Sequence, residues 1–201
     1  MRRMLFICMH ACAAAVFLVP IFWGMNRRWF HNGKRTVWYF ILAVYLCGMY
    51  AVVGLPNILY MRLDFNINLK PFSYMFSDYK NSLLNVLLFV PLGFFLPALW
   101  ENFRKVYWAV LFGMCASLLI ELLQLLTFRA TDVNDLMTNT LGTFVGWCLG
   151  RTAPRFFPGV TPEKNTREVY AVCAVSFGIM FFLQPFLANP LEMVLSRCHI
   201  L

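Results

Sequence analysis

Residues 107–128 read Y-W-A-V-L-F-G-M-C-A-S-L-L-I-E-L-L-Q-L-L-T-F, an apolar run broken by one acid, Glu121, and one amide, Gln124. About 20 apolar residues at 1.5 Å per residue cross the hydrocarbon core of a bilayer, so this stretch predicts a membrane-spanning helix. Working outward, further apolar runs lie at 4–23, 37–58, 82–100, 136–149 and 168–188. The chain as a whole is 61% hydrophobic and only 13% charged, with a mean hydropathy of +0.66. A soluble domain carries about a quarter of its residues as charges, so a soluble enzyme, a disordered chain and a disulfide scaffold are all excluded. The expected fold is an all-α, polytopic integral membrane helical bundle of five to six transmembrane helices with one interfacial or re-entrant segment.

The boundaries follow from the polar residues between the runs. Met4 to Trp23 follows Arg2 and Arg3 but is too long for a signal-peptide core and has no small-residue cleavage site after it, so it predicts a retained span. Arg27, Arg28, Lys34 and Arg35 then read as a basic loop. Tyr60 to Lys80 alternates charged and amide residues with Leu69, Pro71, Phe72, Tyr74, Met75 and Phe76, the pattern of a segment resting in the head-group region. Ser77 and Asp78 are candidate caps for the next helix. The run 82–100 contains Asn85, Pro91, Gly93 and Pro97 and reads as either a kinked span or a re-entrant element. Residues 1–60 therefore hold two helices, 61–150 a core, and 151–201 a basic loop and a last helix.

Net charge is +8, from 17 Lys and Arg against 9 Asp and Glu. These cations sit at the ends of apolar runs and not in one patch, which suits lipid head groups and gives no reason to expect nucleic acid as a partner. With six spans, the loops 24–36, 101–105 and 151–167 carry ten Lys and Arg and the opposite side seven, a bias toward termini outside. The seven cysteines are scattered through apolar runs without a C-x-x-C, and read as small packing residues. His10, His31 and His199 have no carboxylate or second histidine at ligand spacing, so no metal site is expected on them. No cofactor-binding motif occurs.

Ionisable and amide groups inside a span are costly, so each needs a partner or a role. Ser117, Glu121 and Gln124 share one helical face, as do Asp132, Asp135 and Asn139, with Gly142 and Gly146 continuing the latter as a pair of small residues four apart. Asn81 and Asn85 are again four apart, and Arg129 lies between two of these stripes. The candidate ligand-binding residues are Asn85, Glu121, Gln124, Arg129, Asp132, Asp135 and Asn139. Glu121, Asp132 and Asp135 are also candidate catalytic acids or bases. Structural readings stand beside these: Asp132 with Asp135 three positions on is the pattern of a helix cap, Asn85 and Gln124 suit interhelical hydrogen bonds, and Arg129 suits an ion pair.

The same residues occur as a series: Asn68-Leu69-Lys70-Pro71-Phe72, Asn85-Val86-Leu87-Leu88-Phe89-Val90-Pro91-Leu92-Gly93-Phe94, Ser117 through Glu121 to Gln124, Arg129-Ala130-Thr131-Asp132-Val133-Asn134-Asp135-Leu136, and Asn139-Thr140-Leu141-Gly142. In this order they resemble the VanZ-like family of bacterial membrane proteins, over about residues 66–150. Lys70 stands where the family motif carries an apolar residue. The resemblance implies a multi-pass protein of the bacterial cytoplasmic membrane, and the family's namesake is associated with low-level resistance to the glycopeptide teicoplanin. The family's motif residues map onto Asn85, Pro91, Gly93, Glu121, Gln124, Arg129, Asp132, Asp135, Asn139 and Gly142. Two functions remain open at this level. One is binding or remodelling of an envelope lipid or lipid-linked cell-wall precursor. The other is an intramembrane enzyme acting on a lipid-linked phosphate or glycosidic bond, with a membrane scaffold as a third, simpler alternative.

Overall fold

A computed structural model describes residues 2–63, 67–68, 70–72, 78–127, 131–152 and 161–197. Its elements are α1 (Arg2–Met25), which runs on into a π-helical turn (Asn26–Phe30), α2 (Gly33–Val53), β1 (Ile67–Asn68), α3 (Tyr79–Leu99), a 3₁₀ turn (Glu101–Arg104), α4 (Val106–Gln124), β2 (Thr131–Asp132), α5 (Val133–Gly150), α6 (Arg167–Gly178), a second π-helical turn (Ile179–Leu183) and α7 (Gln184–Arg197). The chain is an all-α helical membrane bundle, and among the described residues five helical stretches are long and apolar enough to cross a bilayer. They are Met9–Phe30, Gly33–Val53, Tyr79–Leu99, Val106–Gln124 and Arg167–Val194.

Several boundaries differ from those expected. Arg27 and Arg28 belong to the turn that extends the first helix, while Lys34 and Arg35 open α2, where the Asn32 side chain accepts from the Arg35 N–H at 3.1 Å. The basic loop thus shrinks to a reversal at His31 and Asn32. The run 82–100 is neither broken nor folded back: α3 is one helix of 21 residues that absorbs both Pro91 and Pro97. Ser77 lies outside the described residues, and Asp78 holds the cap position of α3 without a side-chain bond to the backbone. The final helical stretch continues past Ala188 to Arg197, with Pro190 inside α7.

α5 is the expected span that is not among these five stretches. Its 18 residues amount to roughly 27 Å, and its inner face is made of Asn134, Thr138, Asn139, Gly142, Thr143 and Gly146, all buried. Leu141, Phe144, Val145 and Leu149 form its exposed apolar ridge. That division is the one lipid demands: hydrocarbon outside, polar groups satisfied inside.

Two units are formed. One comprises Met1–Met61 with Arg167–Leu201, and the other Arg62–Thr166. The stretches read as N-terminal and C-terminal thus pack with each other. In that first unit α1 packs on α2 and α7, and α2 on α6. α2 ends at Gly54, whose φ of 69° is a left-handed conformation that glycine adopts without strain. In the second unit α3, α4 and α5 pack together, with α3 on α5 the most extensive contact. α3 and α5 run parallel. A Cβ added to Gly142 would lie 2.2 Å from the Val86 carbonyl oxygen, one on Gly146 2.0 Å from that of Val90, and one on Gly150 2.2 Å from that of Phe94. Gly93 answers from α3, where a Cβ would stand 2.1 Å from the Thr143 oxygen. The small-residue pair in the sequence is therefore an internal seam between two backbones, lengthened by Gly150 and met by Gly93.

Candidate functional site

The polar residues of the unit Arg62–Thr166 gather where β1, β2 and the N-terminal ends of α3 and α5 meet the C-terminal end of α4. β1 and β2 form a two-residue parallel pair, Ile67 with Thr131 and Asn68 with Asp132. This pairing sets Asn68 Nδ2 to donate to Asp132 Oδ2 at 3.1 Å. The other oxygen of Asp132, Oδ1, accepts from the backbone N–H of Asn134 at 2.9 Å and from its Nδ2 at 2.8 Å. Asp132 is thus a helix cap for α5, the structural reading of its spacing with Asp135. Asn134 in turn accepts at its Oδ1 from the Phe72 N–H at 2.7 Å and donates to the Lys70 carbonyl at 3.4 Å, which fastens Lys70 and Phe72 to the start of α5.

Glu121 is 4% exposed and directs its carboxylate back to β2: Oε2 accepts from the backbone N–H of Asp132 at 2.9 Å. Thr131 Oγ1 donates to the Glu121 carbonyl at 3.0 Å. Both bonds tie the last turn of α4 to the strand that leads into α5. Ser117, Glu121 and Gln124 are all buried on one face of α4, as their spacing requires. Ser117 receives Asn139 Nδ2 at 2.9 Å, linking α4 to α5 one turn deeper. Asn139 Oδ1 is buried and, among the described residues, has no hydrogen-bond partner. Turning the amide would let the oxygen face Ser117 but strand the nitrogen instead, so one polar end is left over in either orientation.

Asn85 and Asp135 come together, Nδ2 donating to Oδ1 at 2.7 Å across the α3–α5 seam. Asn81 does not join them; it donates to Asp78 on its own exposed helix start. Gln124 lies one turn beyond Glu121, and its carbonyl accepts from Thr127 Oγ1 at 2.9 Å. Arg129 lies outside the described residues. The site so built is a ring of amides and carboxylates, with Asp132 and Asp135 half-buried and Glu121 and Asn139 sealed behind them. Among the described residues no three Asp, Glu, His or Cys side chains form a group suited to a metal ion.

Sequence reasoning missed Asn68 and Asn134, although both lie inside the quoted motifs; Asn134 two residues after a capping Asp is the signal for it. It also missed the partners of His10. His10 Nε2 meets Glu192 Oε1 at 3.0 Å, and Gln184 Nε2 donates to His10 Nδ1, in the other unit. No spacing rule could relate residues 182 positions apart.

A seam of backbone-close helices, capped by paired amides and carboxylates at one end, defines a helical membrane module rather than a soluble enzyme fold. The VanZ/LLP1 family model matches residues 6–154, and the chain belongs to that family. The match begins in the first helix, well before the 66–150 stretch whose motifs carry the resemblance. A similar protein is Protein VanZ of Enterococcus faecium, 30% identical over 120 residues that cover 53% of this chain and 71% of that protein. No solved structure matches the chain.

Proposed function

We propose that this multi-pass VanZ-family protein sits in a bacterial cytoplasmic membrane and binds or remodels an envelope lipid or lipid-linked cell-wall precursor at the amide and carboxylate ring, contributing to tolerance of glycopeptides such as teicoplanin. The observation that carries the reading is Asn139, 4% exposed and bonded to Ser117 on the Glu121 face of α4, with one buried polar end that lacks a partner among the described residues. A buried polar atom left unpaired costs about 1–3 kcal/mol, and a polar head group reaching into the α4–α5 seam would relieve that cost. The half-buried Asp132, Asp135, Asn85 and Asn68 supply donors and acceptors at the level where such a head group enters. Arg129, adjacent in sequence to β2, supplies a positive charge for a phosphate or carboxylate.

The carboxylates favour binding over chemistry. Asp132 is held by Asn68 and Asn134, Glu121 by a backbone amide and Asp135 by Asn85, so each has a structural task. The test is native mass spectrometry of gently extracted wild-type, Glu121→Gln and Arg129→Ala protein. Wild type should carry a specific lipid that both folded variants lose, and the variants should no longer support growth in teicoplanin. Identical lipid content and tolerance in all three would defeat the proposal and favour a scaffold.

A further inference from the structure

The opposite end of the same unit carries a second, unrelated constellation. Arg104, Val106, Trp147 and Arg151 line a cleft of about 490 Å³. Arg104 ends the 3₁₀ turn between α3 and α4, while Arg151 caps α5. α5 is roughly 27 Å long, so this cleft lies a full helix length from the ring at Asp132. The floor is rigid: Trp147 is 9% exposed, and its Nε1 donates to the Phe103 carbonyl at 3.0 Å. The Arg151 guanidinium stands 5.5 Å from the centre of the Trp147 ring. Stacking of this kind holds an arginine in one orientation and leaves its N–H edge available to a second partner.

One arginine at a helix C-terminus would be accounted for by the helix dipole. Two arginines lining one cleft repel each other, and among the described residues neither forms an ion pair. Two acids lie nearby: Glu163 spends Oε1 on the N–H groups of Lys164 and Asn165, and Glu101, exposed at the start of the turn that Arg104 ends, forms no ion pair among the described residues. The cleft also lies at an interfacial level. Trp100, Tyr107 and Trp108 gather at this same end of α3 and α4, and the last two are exposed, as aromatic side chains at the head-group boundary are. Arg104, Lys105 and Arg151 lie at this one end of the unit, where α3 and α5 finish, and a cluster of cations beside exposed aromatic side chains suits anionic head groups.

We propose that the Arg104–Trp147–Arg151 cleft is a phosphate site whose occupant is the head group of an anionic phospholipid in the adjoining leaflet. The two guanidiniums grip the phosphodiester oxygens, and Val106 and the Trp147 ring contact the glycerol backbone. This site does not depend on the ring at the other end of the unit.

The full-length protein in detergent is titrated with phosphatidylglycerol or phosphatidylcholine and followed by native mass spectrometry. In the Arg104→Gln/Arg151→Gln variant the Kd for the first phosphatidylglycerol should rise roughly tenfold, with phosphatidylcholine binding unchanged. A charge-matched control, Lys34→Gln/Lys80→Gln, should leave both lipids as in wild type. An equal loss in the control, or none in the arginine pair, would overturn the proposal. Displacement of the lipid by an equal concentration of glycerol phosphate would assign the cleft to a soluble phosphate and overturn the lipid assignment. Should the double variant not fold, Arg104→Gln alone, on an exposed turn, reads the same effect at about threefold.

Discussion

In the unit Arg62–Thr166, α5 lies against α3 with Gly142, Gly146 and Gly150 directly over carbonyl oxygens, and Thr143 fits between Gly93 and Gly113. In the unit that joins the two termini, α1 and α2 are held apart by rings. Phe22 packs edge-on against Phe40 at 5.9 Å and Phe30 against Tyr39 at 5.0 Å, and between α2 and α6 Tyr50 meets Phe177 at 5.9 Å. Glycines exist there too, but a Cβ on Gly24, Gly48 or Gly178 would meet nothing within 4 Å. Lipid offers no hydrophobic drive to press helices together, so contact has to come from close packing and hydrogen bonds. Backbone contact leaves no adjustable atom between the helices, whereas rings can shift and still touch. The polar ring is built on the unadjustable unit, and this suits a site whose parts must keep their distances.

The largest expected effect breaks that seam. Gly146→Leu puts a side chain where even a Cβ would stand 2.0 Å from the Val90 oxygen, so α3 and α5 must separate. The cost should reach about 3 kcal/mol or more, read as loss of monodisperse protein and a collapse of Tm in detergent. Gly48→Ala, by contrast, should be neutral or stabilising by up to about 1 kcal/mol, because alanine is the better helix former and the space is open. Equal damage from both substitutions would show that the two units do not differ in tolerance.

Next in size is Glu121. Glu121→Ala removes the acceptor of the Asp132 N–H and leaves that donor at the joint between α4 and α5. A loss of about 1–3 kcal/mol is expected in thermal unfolding, with Glu121→Gln recovering most of it because an amide oxygen can still accept. If Glu121→Ala unfolds as wild type does while lipid binding disappears, the carboxylate serves the ligand and not the joint. Ser117→Ala should cost less, about 1 kcal/mol, since it removes one interhelical bond from Asn139.

Much of the rigid unit is legible in its residue spacing. The face shared by Ser117, Glu121 and Gln124 follows from helical periodicity alone, and all three are buried. The small pair Gly142 and Gly146 signals a close approach, and Asp132 followed by Asp135 signals a cap. What spacing cannot carry is the identity of a distant partner. Gly142 and Gly146 suit a dimer as well as an internal contact, and only the position of α3 beneath them decides between the two. Asn68 becomes part of the ring only because two residues of strand pair in parallel with Thr131–Asp132, far too short a signal to read in sequence. The apolar run 136–149 is short for a full crossing, and the structure shows why: the exposed ridge of Leu141, Phe144, Val145 and Leu149 is apolar, while the inner face answers to α3 and α4.

The smallest effect sharpens the comparison most, because it sets one polar contact in each unit side by side. Asn85 with Asp135 crosses the seam, and His10 with Glu192 joins α1 to α7. Gln184 donates to His10 Nδ1 while Nε2 faces Glu192 Oε1, so both ring nitrogens are engaged. His10 is 13% exposed at its side chain but Glu192 is 35%, so water competes for the carboxylate. Double-mutant cycles with alanine should therefore give a coupling of about 1–2 kcal/mol for Asn85 and Asp135 and below about 1 kcal/mol for His10 and Glu192. A larger coupling at His10 would mean that the ring-packed unit also depends on a fixed polar joint, and that its tolerance at Gly48 stops short of the helices that meet Glu192.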